Sequence, residues 1–188
     1  MIADLFLTLL LVLLNGFFVA AEFALVKVRS SQIDLQVQKG SKRAKVAQQL
    51  LTKLDAYLSA TQLGITLASL GLGAFGEHVM SEIVGKIFVD LEITVNPHFI
   101  TVPIAFSLIT FFHITIGEQV PKMFGIKFPL EMTLFIAWPM RVFYFVFAPF
   151  IWLLNKSSNM FLRMVGIKKV GEEDVHTEEE LRMILTES

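Results

Sequence analysis

Cysteine is absent from this 188-residue chain, which excludes disulfides, thiolate metal centres and cysteine nucleophiles. No glycine-rich run ends in Lys-Ser or Lys-Thr, so a phosphate-binding loop is missing. A His-Glu-x-x-His pair is missing too, and no serine in the apolar runs has a histidine placed to activate it. An enzyme is therefore not expected. The basic stretch 27–56 contains no aromatic side chain to stack on bases, which argues against a nucleic-acid surface. Internal repeats and low-complexity segments are also lacking. The chain is instead rich in apolar residues: 54% are hydrophobic, with 18 phenylalanines and a mean hydropathy of +0.64. A soluble domain holds about 45–50% even with glycine counted. The net charge of -1 says nothing about partners, because the charges are segregated along the chain.

The apolar residues fall in runs. Leu5 to Val26 is long enough to cross a bilayer, which takes about 20 helical residues. Asp4 precedes it where a signal peptide would carry basic residues, and Asn15 and Glu22 interrupt it, so it reads as a mature span. Residues 27–56 carry Lys27, Arg29, Lys39, Lys42, Arg43, Lys45 and Lys53 against Asp34 and Asp55. Gly40-Ser41 divides this stretch into two short surface helices. Tyr57 to Gly76 is a second span. Glu77 to His98 reads as an acidic surface helix that turns at Asn96-Pro97. Phe99 to Glu118 is the third span. The positive-inside rule places the basic 27–56 loop in the cytoplasm and the N-terminus outside. Residues 130–154 have the length of a span, but Pro139, Arg141 and Pro149 divide them into half-span pieces crowded with aromatics. A bent helix along the cytoplasmic interface is preferred; a fourth crossing is the alternative. From 171 to 188 the chain turns soluble. Thr177 and Glu180 form a capping box that opens a helix of something longer, so the sequence reads as a truncated piece.

Polar groups in hydrocarbon need partners. Ser59, Gln62, Thr66 and Ser69 recur at offsets of three, four and three, along one face of the second span. Ala60, Gly64 and Ala68 form an adjacent small-residue stripe suited to close helix approach. For the hydroxyls, the alternative to an ion role is ordinary interhelical hydrogen bonding. Glu22 and Glu118 lie near the cytoplasmic ends of the first and third spans, level with Ser59 and Gln62. Glu22 has the alternative of a salt bridge to Lys27 or Arg29. Gly117 and Pro121 flank Glu118 and mark a helix break of the kind that frees carbonyls at ion sites, though also an ordinary stop signal. Oxygen-only groups suit a hard cation such as Mg²⁺. His113 reads first as a satisfied core histidine.

Three segments carry a resemblance: Asn15-Gly-Phe-Phe-Val-Ala-Ala-Glu-Phe-Ala-Leu, Ser59-Ala-Thr-Gln-Leu-Gly-Ile-Thr-Leu-Ala-Ser-Leu-Gly-Leu-Gly, and Gly117-Glu-Gln-Val-Pro-Lys. Together they resemble the transmembrane domain of the CorC and cyclin M family, often labelled hemolysin-like in bacteria. The resemblance implies an all-α homodimeric membrane protein with three transmembrane helices and a juxtamembrane belt helix. Residues 1–170 would form the transmembrane domain, and 171–188 would start a cytoplasmic acidic helical bundle. It further implies Mg²⁺ export coupled to Na⁺ from a bacterial plasma membrane, with nucleotide-binding CBS modules following in the full protein. The metal ligands expected are Ser59, Gln62, Thr66, Glu118 and Glu22, with the small-residue faces at the two-fold. The better-understood members carry serine at the position of Ala21 and asparagine near Ile65 or Thr66; here Ala21 and Ile65 supply no side-chain oxygen, and Gln62 and Thr66 could compensate from the same helix. The competing expectation is a membrane anchor that dimerises CBS modules and moves no ion.

Overall fold

A computed structural model describes residues 2–90 and 97–166, and the described residues are helical with short turns between. The helices are α1 (Ile2–Lys27), α2 (Ser30–Gln38), α3 (Lys42–Leu51), α4 (Leu54–Asp90), α5 (Pro97–Phe112), a π-helical segment (His113–Gln119), α6 (Val120–Lys127) and α7 (Pro129–Met164). The chain divides into two units, 1–151 and 152–188.

The break at Gly40-Ser41 forms as expected. Gly40 takes φ +82°, and its N–H donates to Val37 O while Ser41 N–H donates to Gln36 O. This paired arrangement closes a helix through a left-handed glycine. Ser41 Oγ then accepts from Ala44 N–H at 3.3 Å and caps α3.

Among the described residues, four helices are long and apolar enough to cross a membrane: Ile2–Lys27, Leu54–Phe88, Val102–Lys127 and Pro129–Met164. Three departures from the sequence expectations follow. First, α4 does not stop at Gly76. That glycine lies against Ile109 of α5, where a Cβ would stand 3.1 Å from Cγ1, so it serves packing rather than a turn. The 35-residue apolar stretch of α4 rises about 52 Å, well beyond the roughly 30 Å hydrocarbon core. Its last turns carry an exposed Lys86–Glu82 pair at 2.9 Å, which belongs in water. Second, the expected break around Gly117 is a π turn through which the helix continues. Third, Pro139 and Pro149 do not divide 130–154, because α7 is one 36-residue helix with both prolines inside it. Each proline removes a single backbone donor, and an apolar helix tolerates this.

Within residues 1–151, α1 is the central helix, packing on α4, the π segment and α6. The stripe Ala60, Gly64 and Ala68 is buried, with the Phe18 ring lying directly on Gly64. That face is thus used inside one chain and is not available at a two-fold. Aromatic contacts tie α7 to the same core: Phe143 meets Phe18 and Tyr144 meets Tyr57, both with ring centroids 4.7 Å apart. On α6, Gly125 packs against backbone. A Cβ there would stand 2.7 Å from Ala20 O and 3.1 Å from Ala24 N. Backbone cannot rotate away, so Gly125→Ala is expected to destabilise the domain by roughly 1–3 kcal/mol, read as a lower Tm in detergent. Large apolar side chains such as Phe6, Leu9 and Leu13 on α1 and Phe106 and Phe111 on α5 remain exposed, as lipid contact requires.

In residues 152–188, the described part is the end of α7 and the turn after it. Lys156 Nζ lies 4.8 Å from the Trp152 ring centroid, and Met160, Phe161 and Leu162 are exposed. The expected acidic helix at 171–188 lies outside the described residues.

Candidate functional site

The strongest polar feature inside the bundle is a junction of three helices at Asn15. This side chain has no exposed surface. Its Nδ2 donates to Gly117 O at 2.9 Å, and its Oδ1 accepts from Ser69 Oγ at 3.2 Å. The Gly117 carbonyl is available for a local reason. In an α-helix it would accept from the N–H four residues on, but that residue is Pro121, which has none. The same proline packs on α1, with Cγ 2.9 Å from where a Gly16 Cβ would stand. Glycine at 16 and proline at 121 thus bring α1 close enough for the neighbouring Asn15 amide to reach the carbonyl.

The π turn sets the second feature. Val120 N–H donates to Thr115 O, five residues back. On a regular α-helix, side chains five apart diverge by about 140°. The wider π turn returns them to one face, and His113 Nε2 stands 3.8 Å from Glu118 Oε1. The His113 side chain is 17% exposed and that of Glu118 41%. Among the described residues, His113 Nε2 is buried with no hydrogen-bond partner, so the expectation of a satisfied core histidine is not met. The ring also lies over Gly117, with Cδ2 2.9 Å from a would-be Cβ, and only glycine fits beneath it.

The residues expected as ligands are placed as follows. Glu118 flanks the junction directly. Thr66 lies about 4.5 Å of helix rise from Ser69, Gln62 about 10 Å and Ser59 about 15 Å, and Glu22 about 10 Å from Asn15. The five are therefore staggered rather than level. Ser59 Oγ donates to Asp55 O at 2.9 Å and Thr66 Oγ1 to Gln62 O at 2.8 Å, within their own helix. Gln62 and Thr66 are exposed, while Glu22 is partly buried. Among the described residues no ion pair joins Glu22 to Lys27 or Arg29. No three His, Asp or Glu side chains among them cluster to hold a metal. The chemistry available is one carboxylate beside neutral oxygens, which suits a cation that keeps several of its waters. Asn15 is the residue that sequence reasoning passed over as part of a site. An amide in mid-span, together with a proline four residues after a glycine in another span, was the signal.

A family model described as the cyclin M transmembrane N-terminal domain matches residues 6–188. The chain belongs to the cyclin M transmembrane family. Among relatives from Bacillus subtilis strain 168, UPF0053 protein YhdT is 46% identical over 95% of this chain and 39% of its own length. UPF0053 protein YhdP is 41% identical over 100% of the chain and 43% of its own length. The chain thus spans less than half the length of these curated relatives. As a cyclin M domain it is an all-helical, multi-pass membrane protein of a transport-related family. The two positions at which the resemblance led to the expectation of side-chain oxygens are both packed. Ala21 has no exposed surface, and Ile65 lies against the core around Ala60 and Leu63.

Proposed function

We propose that this chain is the membrane domain of a Mg²⁺ exporter driven by Na⁺, with its cation site at Glu118. The observation that carries this reading is the π turn. It holds a half-exposed carboxylate against a buried three-helix amide junction, in a segment otherwise poor in charge. An ionisable side chain within a span is expensive and usually functional, and helix irregularities that line a cavity recur at transport sites. Of the expected ligands on α4, Thr66 is the nearest in level to Glu118. Ser59, Gln62 and Glu22 lie further along and would line the approach from the basic, cytoplasmic side. The N-terminus then faces outward. Gln62 and Thr66, exposed on a spanning helix beside Leu67 and Leu70, would be costly in lipid; a second copy covering them accounts for their placement and makes the protein a homodimer. The aromatic and basic α7 lies along the interface as a belt.

The competing anchor reading draws on the hydroxyls of Ser59 and Thr66, which bond within their own helix. Thermal unfolding in detergent separates the two. Binding to the folded state stabilises it by mass action, so Mg²⁺ at 100 times its Kd adds about 2.7 kcal/mol. A rising Tm across millimolar Mg²⁺ is expected, together with Mg²⁺ efflux from loaded proteoliposomes. A flat Tm and no efflux would leave the anchor.

A further inference from the structure

A cavity of about 210 Å³ lies between α4 and α5, lined by Ser69, Gly73, Phe106, Ile109, Thr110 and His113. Three observations give it meaning. Its polar lining is continuous with the junction, because Ser69 donates to Asn15 and His113 stands 3.8 Å from Glu118. His113 lines it, and the Nε2 of that ring is buried with no hydrogen-bond partner among the described residues. The cavity is open at Gly73, where a Cβ would meet nothing within 4 Å, and one helical turn on it is narrowed where Ile109 presses on Gly76.

We propose that this cavity is a hydrated vestibule, a second access route through which a hydrated divalent cation reaches or leaves Glu118 past His113 and Ser69. Size supports this. At about 30 Å³ per water the cavity holds roughly seven, close to one octahedral ion with its six waters. Hydroxyls of Ser69 and Thr110 supply hydrogen bonds to that shell. Leu72, Phe106 and Ile109 supply walls that do not bind the ion, so it can move on. The Gly76–Ile109 contact is the constriction that closes the route on the side away from the junction. This inference rests on the cation-transport reading and adds where the second half of the path runs, through α4 and α5 of a single chain rather than along the Gln62 and Thr66 face.

The absence of native cysteine makes the test direct. Gly73→Cys and Thr110→Cys are made singly in the full chain, with Leu70→Cys as control. Leu70 is 68% exposed and apolar, outside the cavity lining. Each is reconstituted in proteoliposomes and treated with a cationic, membrane-impermeant methanethiosulfonate reagent. Both cavity cysteines are expected to react, and Mg²⁺ at ten times its Kd is expected to slow the reaction about tenfold by mass action. Leu70→Cys is expected to react only with a lipid-soluble maleimide. Cavity cysteines that behave like Leu70→Cys would show the space filled by lipid or protein and overturn the vestibule. Reaction that Mg²⁺ leaves unchanged would overturn it as a cation route. Mg²⁺ protection of the parent against heat, measured in parallel, shows whether the Glu118 site stands when the vestibule falls.

Discussion

Asn15→Leu is expected to destabilise the domain by about 2–6 kcal/mol and to remove transport with it. The leucine fills a similar space but satisfies neither partner. Interhelical hydrogen bonds in membranes average about 0.6 kcal/mol and reach about 1.7, so losing the bonds to Gly117 and Ser69 accounts for about 1–3 kcal/mol. The remainder comes from the carbonyl left behind. Pro121 offers no N–H to Gly117 O, and this buried carbonyl loses its interhelical donor, a penalty of about 1–3 kcal/mol by itself. Ser69 is less exposed to loss, since a serine hydroxyl can turn back to a carbonyl of its own helix, as Thr66 does. Asn15→Asp separates the two bonds. At a pH where its carboxyl is ionised, it keeps the acceptor for Ser69 and sets a carboxylate against the Gly117 carbonyl in place of the donor. Thermal unfolding in detergent should find the Asn15→Asp variant no more stable than Asn15→Leu. Wild-type stability in the aspartate variant would show that the α1 bond to the π turn does not hold the junction together.

The parts of this architecture that were legible in the sequence are those set by local rules. The Gly40-Ser41 junction needs a left-handed glycine and a capping hydroxyl, and both are specified by residue type. The Ala60, Gly64 and Ala68 stripe follows from helical spacing, and its burial beneath Phe18 is the packing that such a stripe permits. What could not be read depends on which helix lies opposite. Gly117 and Pro121 have the composition of a helix end. They form a π turn because Asn15 of α1 supplies the donor that Pro121 lacks, and no local pattern contains that donor. Gly76 likewise looks like a terminus until Ile109 is placed against it. Proline inside α7 misled for a related reason: a breaker in water is a tolerated residue in an apolar helix. The candidate ligands illustrate the same limit. Spacing put Ser59, Gln62 and Thr66 on one face, but the level of Glu118 along the bundle was set by the Asn15 contact, about 10 Å from Gln62.

That stagger leads to a graded expectation for transport. Glu118→Gln removes the one carboxylate at the junction while keeping its size and its hydrogen-bonding oxygen. A hydrogen bond to a charged group is worth about 1.5–3 kcal/mol, so the apparent Mg²⁺ affinity should fall by roughly 10–100-fold at 1.4 kcal/mol per decade. Efflux from Mg²⁺-loaded proteoliposomes should fall by at least about tenfold at subsaturating Mg²⁺, with the Tm in metal-free detergent little changed. The stability control matters here because the Glu118 side chain is 41% exposed and stands 3.8 Å from His113, too far for a hydrogen bond, so loss of its charge is expected to leave the fold in place. Thr66→Ala, one turn from the junction, should have a smaller effect on affinity. Ser59→Ala, about 15 Å away along α4, should have the least. If Glu118→Gln exports Mg²⁺ at the wild-type rate with normal expression, the carboxylate is not in the path. If Ser59→Ala is the more damaging of the two, the cation sits at the far end of the stripe, near Glu22, and the π turn serves only to pack α1 against α6.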